Sequence, residues 1–386
     1  MTEKRRRSAR WQAAIAAVAI LVTVPTGCGV SGPQPASWVS QLTDTIPKSL
    51  QRGSIPGAIV GVWQDGAQPF VRAFGVRDTA SGEPMTTDLY MRIGSITKVF
   101  ITTAILQLVD QKKIGLDDPV GKYVAGVPNG DTVTIRQLAE MRSGLYDYSE
   151  EAGVKPSGPG PATQRQWTPQ ELLDIAFSHP PVFAPGAKFQ YNNTNTTLLG
   201  VIVEKVSGQP LPAYLDEHIS RPEGLTHTVF PTGSEIPSPH PRGYASTPDG
   251  TIVDATDWNP SWGQGAGQMI STVDDLHTWA LNVATGKLLS PATQREREQF
   301  LPAPSEGYGT LYGLGVENEN GWIGHNGNLP GFQAYAYNLP SQHITMVVLI
   351  NTSANATVIG GWNLVSDIAR IISPDHPWPP APVEYP

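Results

Sequence analysis

The stretch Gly94-Ser95-Ile96-Thr97-Lys98-Val99-Phe100-Ile101-Thr102-Thr103-Ala104-Ile105-Leu106-Gln107-Leu108-Val109-Asp110 decides the reading of this 386-residue chain. Its apolar residues cover nearly the whole circumference of a helix, so the segment 95–113 is predicted to be helical and buried on all sides. Gly115 and Pro119 bracket its end. Within it lies Ser95-Ile96-Thr97-Lys98, the only Ser-x-x-Lys in the sequence. Positions i and i+3 share a helix face, so the lysine amine can reach the serine hydroxyl. A serine attacks only if a neighbouring base takes its proton, and a lysine serves as that base when apolar burial lowers its pKa. Ile96, Val99, Phe100 and Ile101 supply such surroundings for Lys98. Ser95 also opens the helix, where free N–H groups and the dipole can stabilise an oxyanion. Taken alone, the pattern is weak and more often marks an N-cap serine followed by an ordinary surface lysine.

Outward from this helix, 57–64 alternates small and apolar residues, turns at Asp65-Gly66 and resumes over 69–75, a hairpin signal. Further helices are expected at 134–141, 170–177, 196–207 and 272–284, with a last one from about 358 to 372. Thr168-Pro169-Gln170-Glu171 opens the second of these with a capping box. Strands are expected near 321–324, 331–337 and 344–351; 149–166 and 234–250 read as Pro-, Ser- and Gly-rich loops. Strands thus gather at the two ends with helices between. That order implies an α+β fold: a sheet part over about 38–93 and 255–372, and a helical insertion over about 94–254. No internal repeat is visible.

Composition agrees with a compact enzyme-sized body. Hydrophobic residues make up 39% and charged residues 16%, and 10 Trp, 12 Tyr and 9 Phe can anchor cores, which excludes a disordered chain. The net charge of −8 speaks against a phosphate-tracking surface, so nucleic acid is not expected as a partner. One cysteine excludes a disulfide framework and any Cys-based zinc cluster.

That cysteine has a telling position. Lys4, Arg5, Arg6, Arg7 and Arg10 precede an apolar run of 14 residues, Trp11 to Val24, and then Pro25-Thr26-Gly27-Cys28. A basic start, a short apolar stretch and small residues before a cleavage point form an export-signal pattern. The run is short for a bilayer core of about 30 Å. Residues 1–27 therefore read as a signal peptide, 28–37 as a flexible tether, and 373–386 as a Pro-rich tail. The end of the leader resembles a bacterial lipoprotein box, with Pro25 where an aliphatic residue is usual. The resemblance makes Cys28 the lipidated first mature residue and places the protein in the cell envelope, touching the membrane only through that lipid.

Two further short elements carry polar side chains. Tyr191-Asn192-Asn193 is the only Tyr-x-Asn; in an extended or turning segment, phenol and amide would face one site. The tyrosine could relay a proton, and the asparagine could hold a lysine or an amide carbonyl. A polar turn is the plain alternative for this Asn- and Thr-rich stretch. His325-Asn326-Gly327 follows a predicted strand, where the glycine would let a substrate backbone approach an edge strand and the histidine would offer a donor.

The order Ser-x-x-Lys, Tyr-x-Asn, His-x-Gly resembles the serine penicillin-recognising superfamily. The Tyr form points to the branch of class C β-lactamases and D-alanyl-D-alanine carboxypeptidases, which includes esterases. Met91 to Lys98, Leu106 to Asp110, Arg142 to Tyr148, Ala184 to Gly186, Ser261-Trp262 and Asn351-Thr352 all look like exported serine DD-carboxypeptidases. The likeness spans about 38–372. It implies a β-lactamase/DD-peptidase-like fold, with an antiparallel sheet flanked by the N- and C-terminal helices plus an all-helical insertion.

By the same resemblance Ser95 would be acylated, Lys98 would be its base, and Tyr191 would shuttle protons. Asn193 would hold the substrate amide, His325 and Gly327 would sit on the edge strand, and Trp262 would line the acyl pocket. The oxyanion hole would be the N–H groups of Ser95 and Asn328, and no cofactor or metal is required. The sequence departs from the carboxypeptidases in Asn326 and Asn328, and in Glu317 after Tyr312-Gly313-Leu314-Gly315-Val316, where they carry an arginine for the substrate carboxylate. A DD-carboxypeptidase-like hydrolase of cell-wall peptides is thus the leading expectation. The alternatives are a carboxylesterase or β-lactamase of the same chemistry, and a non-catalytic envelope binding protein on this scaffold.

Overall fold

The computed structural model describes residues 36–304 and 309–379. The expected signal peptide, Cys28, nearly all of the tether and the last residues of the tail lie outside that range. No described helix is long and apolar enough to cross a membrane.

A nine-stranded sheet, antiparallel at every step, organises the molecule. In spatial order its strands are Glu83–Pro84, Phe70–Asp78, Gly57–Gln64, Ile344–Ile350, Phe332–Leu339, Trp322–Leu329, Glu317–Glu319, Leu311–Tyr312 and Leu301–Pro302. The N-terminal hairpin therefore joins strands from the far end of the chain, pairing Val60 with Val348. Both faces of the central strands are covered, which is why Ile344–Ile350 is buried throughout and apolar at every position but Thr345. Met346, Val348 and Ile350 face the terminal helices Val39–Arg52 and Asn355–Ile372. Val347 and Leu349 face the opposite core, with Phe100, Leu276 and Trp279.

The segment expected to be helical at 95–113 forms the helix Ile96–Asp110, with residues buried around its whole circumference. Phe100 stacks on Trp279 at 3.8 Å between ring centroids. Helices Pro169–Ser178 and Asn193–Ser207 lie in the insertion, the first capped by the Thr168/Glu171 box. The hairpin Tyr244–Ser246/Ile252–Asp254 returns the chain to the sheet side, where the Tyr244 N–H donates to Asn351 O.

Three expectations change. The stretch 234–250, read as a loop, carries the strand Tyr244–Ser246, so the insertion over 94–254 is not all-helical; Ala245 of this hairpin packs with Ala255 and Trp258. The strand expected near 321–324 runs from Trp322 to Leu329, so His325-Asn326-Gly327 lies within it rather than after it. The Pro-rich tail also begins inside the core. Trp378 is buried with its ring 4.8 Å from Tyr337 and 5.5 Å from Trp362, and the Trp322 and Trp362 indoles donate to His376 O and Pro379 O. Large aromatic rings on the sheet's outer face need a cover, and this segment provides it.

Candidate active site

Ser95 is the N-cap of the central helix, yet its hydroxyl makes no capping hydrogen bond. It lies instead 3.1 Å from Lys98 Nζ, one turn on. Lys98 is fully buried, and its amine also donates to Asn193 Oδ1 at 2.8 Å and Ala266 O at 2.9 Å. A neutral amine has two hydrogens and one lone pair. In that neutral form the two carbonyl oxygens would take both hydrogens, and the lone pair would face the serine proton. The plain reading of Ser-x-x-Lys, a capping serine beside a surface lysine, does not hold here.

Tyr191 stands beside this pair, with Lys98 Nζ 4.7 Å from its ring centre. It precedes the extended N-cap Asn192, whose side chain accepts from the Asn195 N–H and donates to Leu145 O, fixing the entry to the helix Asn193–Ser207. The helix expected at 196 thus starts at Asn193, and Asn193 reaches the site from its first turn. Of the two roles considered for its amide, the structure shows the hold on the lysine. Oδ1 takes the Lys98 amine, while Nδ2 donates to Ser149 Oγ at 3.0 Å and Asp147 Oδ2 at 3.3 Å. The side chain also stands in the cavity wall, where its oxygen keeps a second lone pair.

The third motif is split between the two faces of its strand. Asn326 and Asn328 line the cavity above Ser95. His325 and Gly327 point the other way. An added methyl on Gly327 would come 1.9 Å from Ile93 O and 2.9 Å from Ser95 N, so this glycine admits the start of the helix Ile96–Asp110 and not a substrate backbone. Gly94 has φ +52°, and a methyl there would come 2.6 Å from Asn328 N. The backbones of Ser95 and Asn328 are thereby pressed together, as an oxyanion hole between their N–H groups needs. The strand is also not a simple edge. Glu317–Glu319 pairs with Trp322 to Gly324 only, which leaves that side of His325 to Leu329 without a strand partner among the described residues.

His325 is 1% exposed and lies behind Tyr191, with ring centroids 6.1 Å apart. Its Nδ1–H donates to Asn326 O at 2.5 Å, so Nε2 accepts from the Tyr312 hydroxyl at 3.2 Å. Burial, with the Lys98 charge as a smaller cause, pushes its pKa down to about 3. A neutral ring held this way supports Tyr191 and is not a cation facing the cavity.

The cavity holds about 390 Å³, with Ser95, Tyr191, Asn193, Trp262 and Asn328 in its wall. Trp262 sits in the turn Pro260–Gly263 against Trp167 and Leu329. Asp147, Glu150 and Glu317 add acids to the wall, and Lys155 adds a cation. Glu317 is itself 1% exposed and accepts from the Tyr337 hydroxyl and from Asn326 N and Nδ2. Residue-by-residue reasoning missed Asp147, Ser149, Ala266 and Tyr312. Asp147 and Tyr312 lay within stretches matching the family, and nothing local marked their tasks.

Comparison with known proteins agrees with this geometry. The family pattern named Beta-lactamase matches residues 41–369. The chain is 29% identical over 299 residues to PbpX of Bacillus subtilis (strain 168), named as a penicillin-binding protein, covering 76% of this chain and 69% of that one. The chain spans 63 to 69% of the length of the curated relatives it matches first. Among solved structures, a D-stereospecific amidohydrolase from Streptomyces sp. superposes with a TM-score of 0.74 at 31% identity, covering 81% of this chain and 94% of that one. The D-amino acid amidase from Ochrobactrum anthropi SV3, complexed with L-phenylalanine amide, gives 0.76 at 25% identity over 86% and 97%. With its fold and most of its length matched, this chain belongs to the beta-lactamase family of serine hydrolases, within the serine penicillin-recognising superfamily.

Proposed function

We propose that the protein is a D-stereospecific serine hydrolase that cleaves amide or peptide bonds through an acyl-Ser95 intermediate and favours substrates without a free carboxylate on the leaving side. The observation that carries this reading is the Lys98 amine, bound by two carbonyl oxygens and 3.1 Å from Ser95 Oγ at a cavity wall. Lys98 takes the Ser95 proton as Oγ bonds to the substrate carbonyl carbon. The oxyanion rests on the N–H groups of Ser95 and Asn328. Collapse breaks the C–N bond, and the departing nitrogen takes a proton delivered through Tyr191. Water then gives up a proton over the same route and attacks the acyl carbon, releasing the acid and restoring the Ser95 hydroxyl.

Substrate preference follows from the wall. A carboxylate arriving beside Glu317 meets like charge where the carboxypeptidases carry a guanidinium. Similarity to the Streptomyces D-stereospecific amidohydrolase supports D-configured amides. The export-type leader before Cys28 supports a substrate outside the cytoplasmic membrane, where D-alanyl peptides occur, with the enzyme lipid-anchored there. The test compares turnover of D-alanine amide derivatives, a D-Ala-D-Ala peptide, a short acyl nitrophenyl ester and a chromogenic cephalosporin. Amide or ester turnover well above D-Ala release is expected; efficient D-Ala release with no amide turnover would overturn the preference. That outcome would favour the DD-carboxypeptidase reading, which Lys155 supports as a cation in the cavity wall.

A further inference from the structure

We infer that Asp147 is a positioning residue of the hydrolytic site: it fixes which end of the Asn193 amide faces Lys98. The inference rests on Ser95 and Lys98 acting as nucleophile and base.

An asparagine side chain is nearly symmetric in shape, with a carbonyl oxygen at one end and an NH₂ at the other. Which end meets Lys98 decides the chemistry. The oxygen accepts an amine hydrogen and turns the lone pair towards Ser95. The NH₂ would compete with the serine hydroxyl for that lone pair. Local sequence does not fix the choice, but the neighbours on the far side do. Asp147 Oδ2 receives both the Asn193 backbone N–H at 2.9 Å and Nδ2 at 3.3 Å. A carboxylate only accepts, so it tolerates the NH₂ end and repels the oxygen. Ser149 Oγ takes the second Nδ2 hydrogen at 3.0 Å.

Asp147 is held firmly for this. It is 7% exposed and caps the turn Tyr148–Glu150, its Oδ1 accepting from the Ser149 N–H at 2.9 Å. The chain Asp147–Asn193–Lys98–Ser95 is thus a series of four side chains in which each orients the next. It has the logic of a base oriented by a third group, with an extra amide between base and carboxylate.

The experiment is a double-mutant cycle with Asp147→Asn and Asn193→Ala, read as labelling of Ser95 by a fluorophosphonate, with Ser95→Ala as the blank. Asp147→Asn keeps the acceptor for the Ser149 N–H but lets the Asn193 amide turn over. It should lower the maximal labelling rate on the order of 10- to 100-fold with the half-saturating probe concentration unchanged. In the Asn193→Ala background the same change should have a much smaller effect, because the side-chain amide it acts through is gone and only the backbone N–H contact remains. Ser149→Ala, which leaves the carboxylate in place, should show a smaller fall that vanishes in that background. Equal fold-losses in both backgrounds, or wild-type labelling by Asp147→Asn, would overturn the inference while leaving the hydrolase reading intact. A wild-type protein that takes no probe at Ser95 would overturn both.

Discussion

Lys98 Nζ lies 2.8 Å from Asn193 Oδ1 and 3.1 Å from Ser95 Oγ, so the amine is held more tightly by the amide than by the hydroxyl it is to deprotonate. In the proposed mechanism this grip would keep the amine's lone pair aimed while the Ser95 hydroxyl swings onto the substrate.

Removing the amine should therefore stop acylation. Lys98→Ala is expected to cut fluorophosphonate labelling of Ser95 by about 10²- to 10⁴-fold, the usual worth of a general base. Asn193 Oδ1 and Ala266 O then lose a buried donor, at about 1–3 kcal/mol in stability. Labelling at the wild-type rate would show that the proton goes elsewhere.

Gly327 should tolerate nothing larger. A methyl 1.9 Å from Ile93 O must push the strand off the helix start, and with it Asn328 N away from Ser95 N. Gly327→Ala should cost about 1–3 kcal/mol or more in urea unfolding and depress acylation more than its stability loss explains. A variant with normal stability and normal labelling would mean the two backbones are not in contact.

The pKa of His325, pushed down to about 3, has a consequence for stability. The unfolded state, with an ordinary imidazole near 6.5, binds this proton before the folded state does. Stability from the neutral buried ring is complete above about pH 6.5 and declines as pH falls towards 3, by up to about 1.4 kcal/mol per pH unit. In His325→Gln this part of the slope should disappear from urea titrations between pH 6.5 and 4. An unchanged slope would show that the ring is not the group responsible.

Charge in the wall is testable through Glu317→Gln. Replacing the carboxylate with an isosteric amide removes like charge from the path of a substrate carboxylate. The ratio of D-Ala-D-Ala cleavage to D-alanine amide cleavage should rise about fivefold or more, the worth of roughly 1 kcal/mol of Coulomb repulsion. A ratio that does not move would place the substrate carboxylate away from Glu317.

Truncation after Ile372 should be costly. Trp378 fills a space between Tyr337 and Trp362, so Trp378→Ala is expected to lose about 3–5 kcal/mol in unfolding free energy. A neutral result would show that the segment beyond 372 is merely appended.

What the sequence determined by itself was the part governed by local periodicity and fixed spacing. Apolar residues all round 96–110 demanded a buried helix, and a three-residue spacing on it put Lys98 beside Ser95 whatever the rest of the chain did. Strands at both ends with helices between already implied a sheet closed by the two termini. Resemblance, not periodicity, supplied the roles of Tyr191, Trp262 and Asn328. Tertiary structure alone decided how distant pieces met. It set which end of the Asn193 amide faces the lysine, because that depends on Asp147, 46 residues earlier in the chain. It turned His325 and Gly327 away from the cavity, because a strand's register fixes its faces and nothing in three residues reveals that register. It folded Trp378 into the core, because covering an aromatic surface is a demand made by the assembled sheet and not by the segment that meets it.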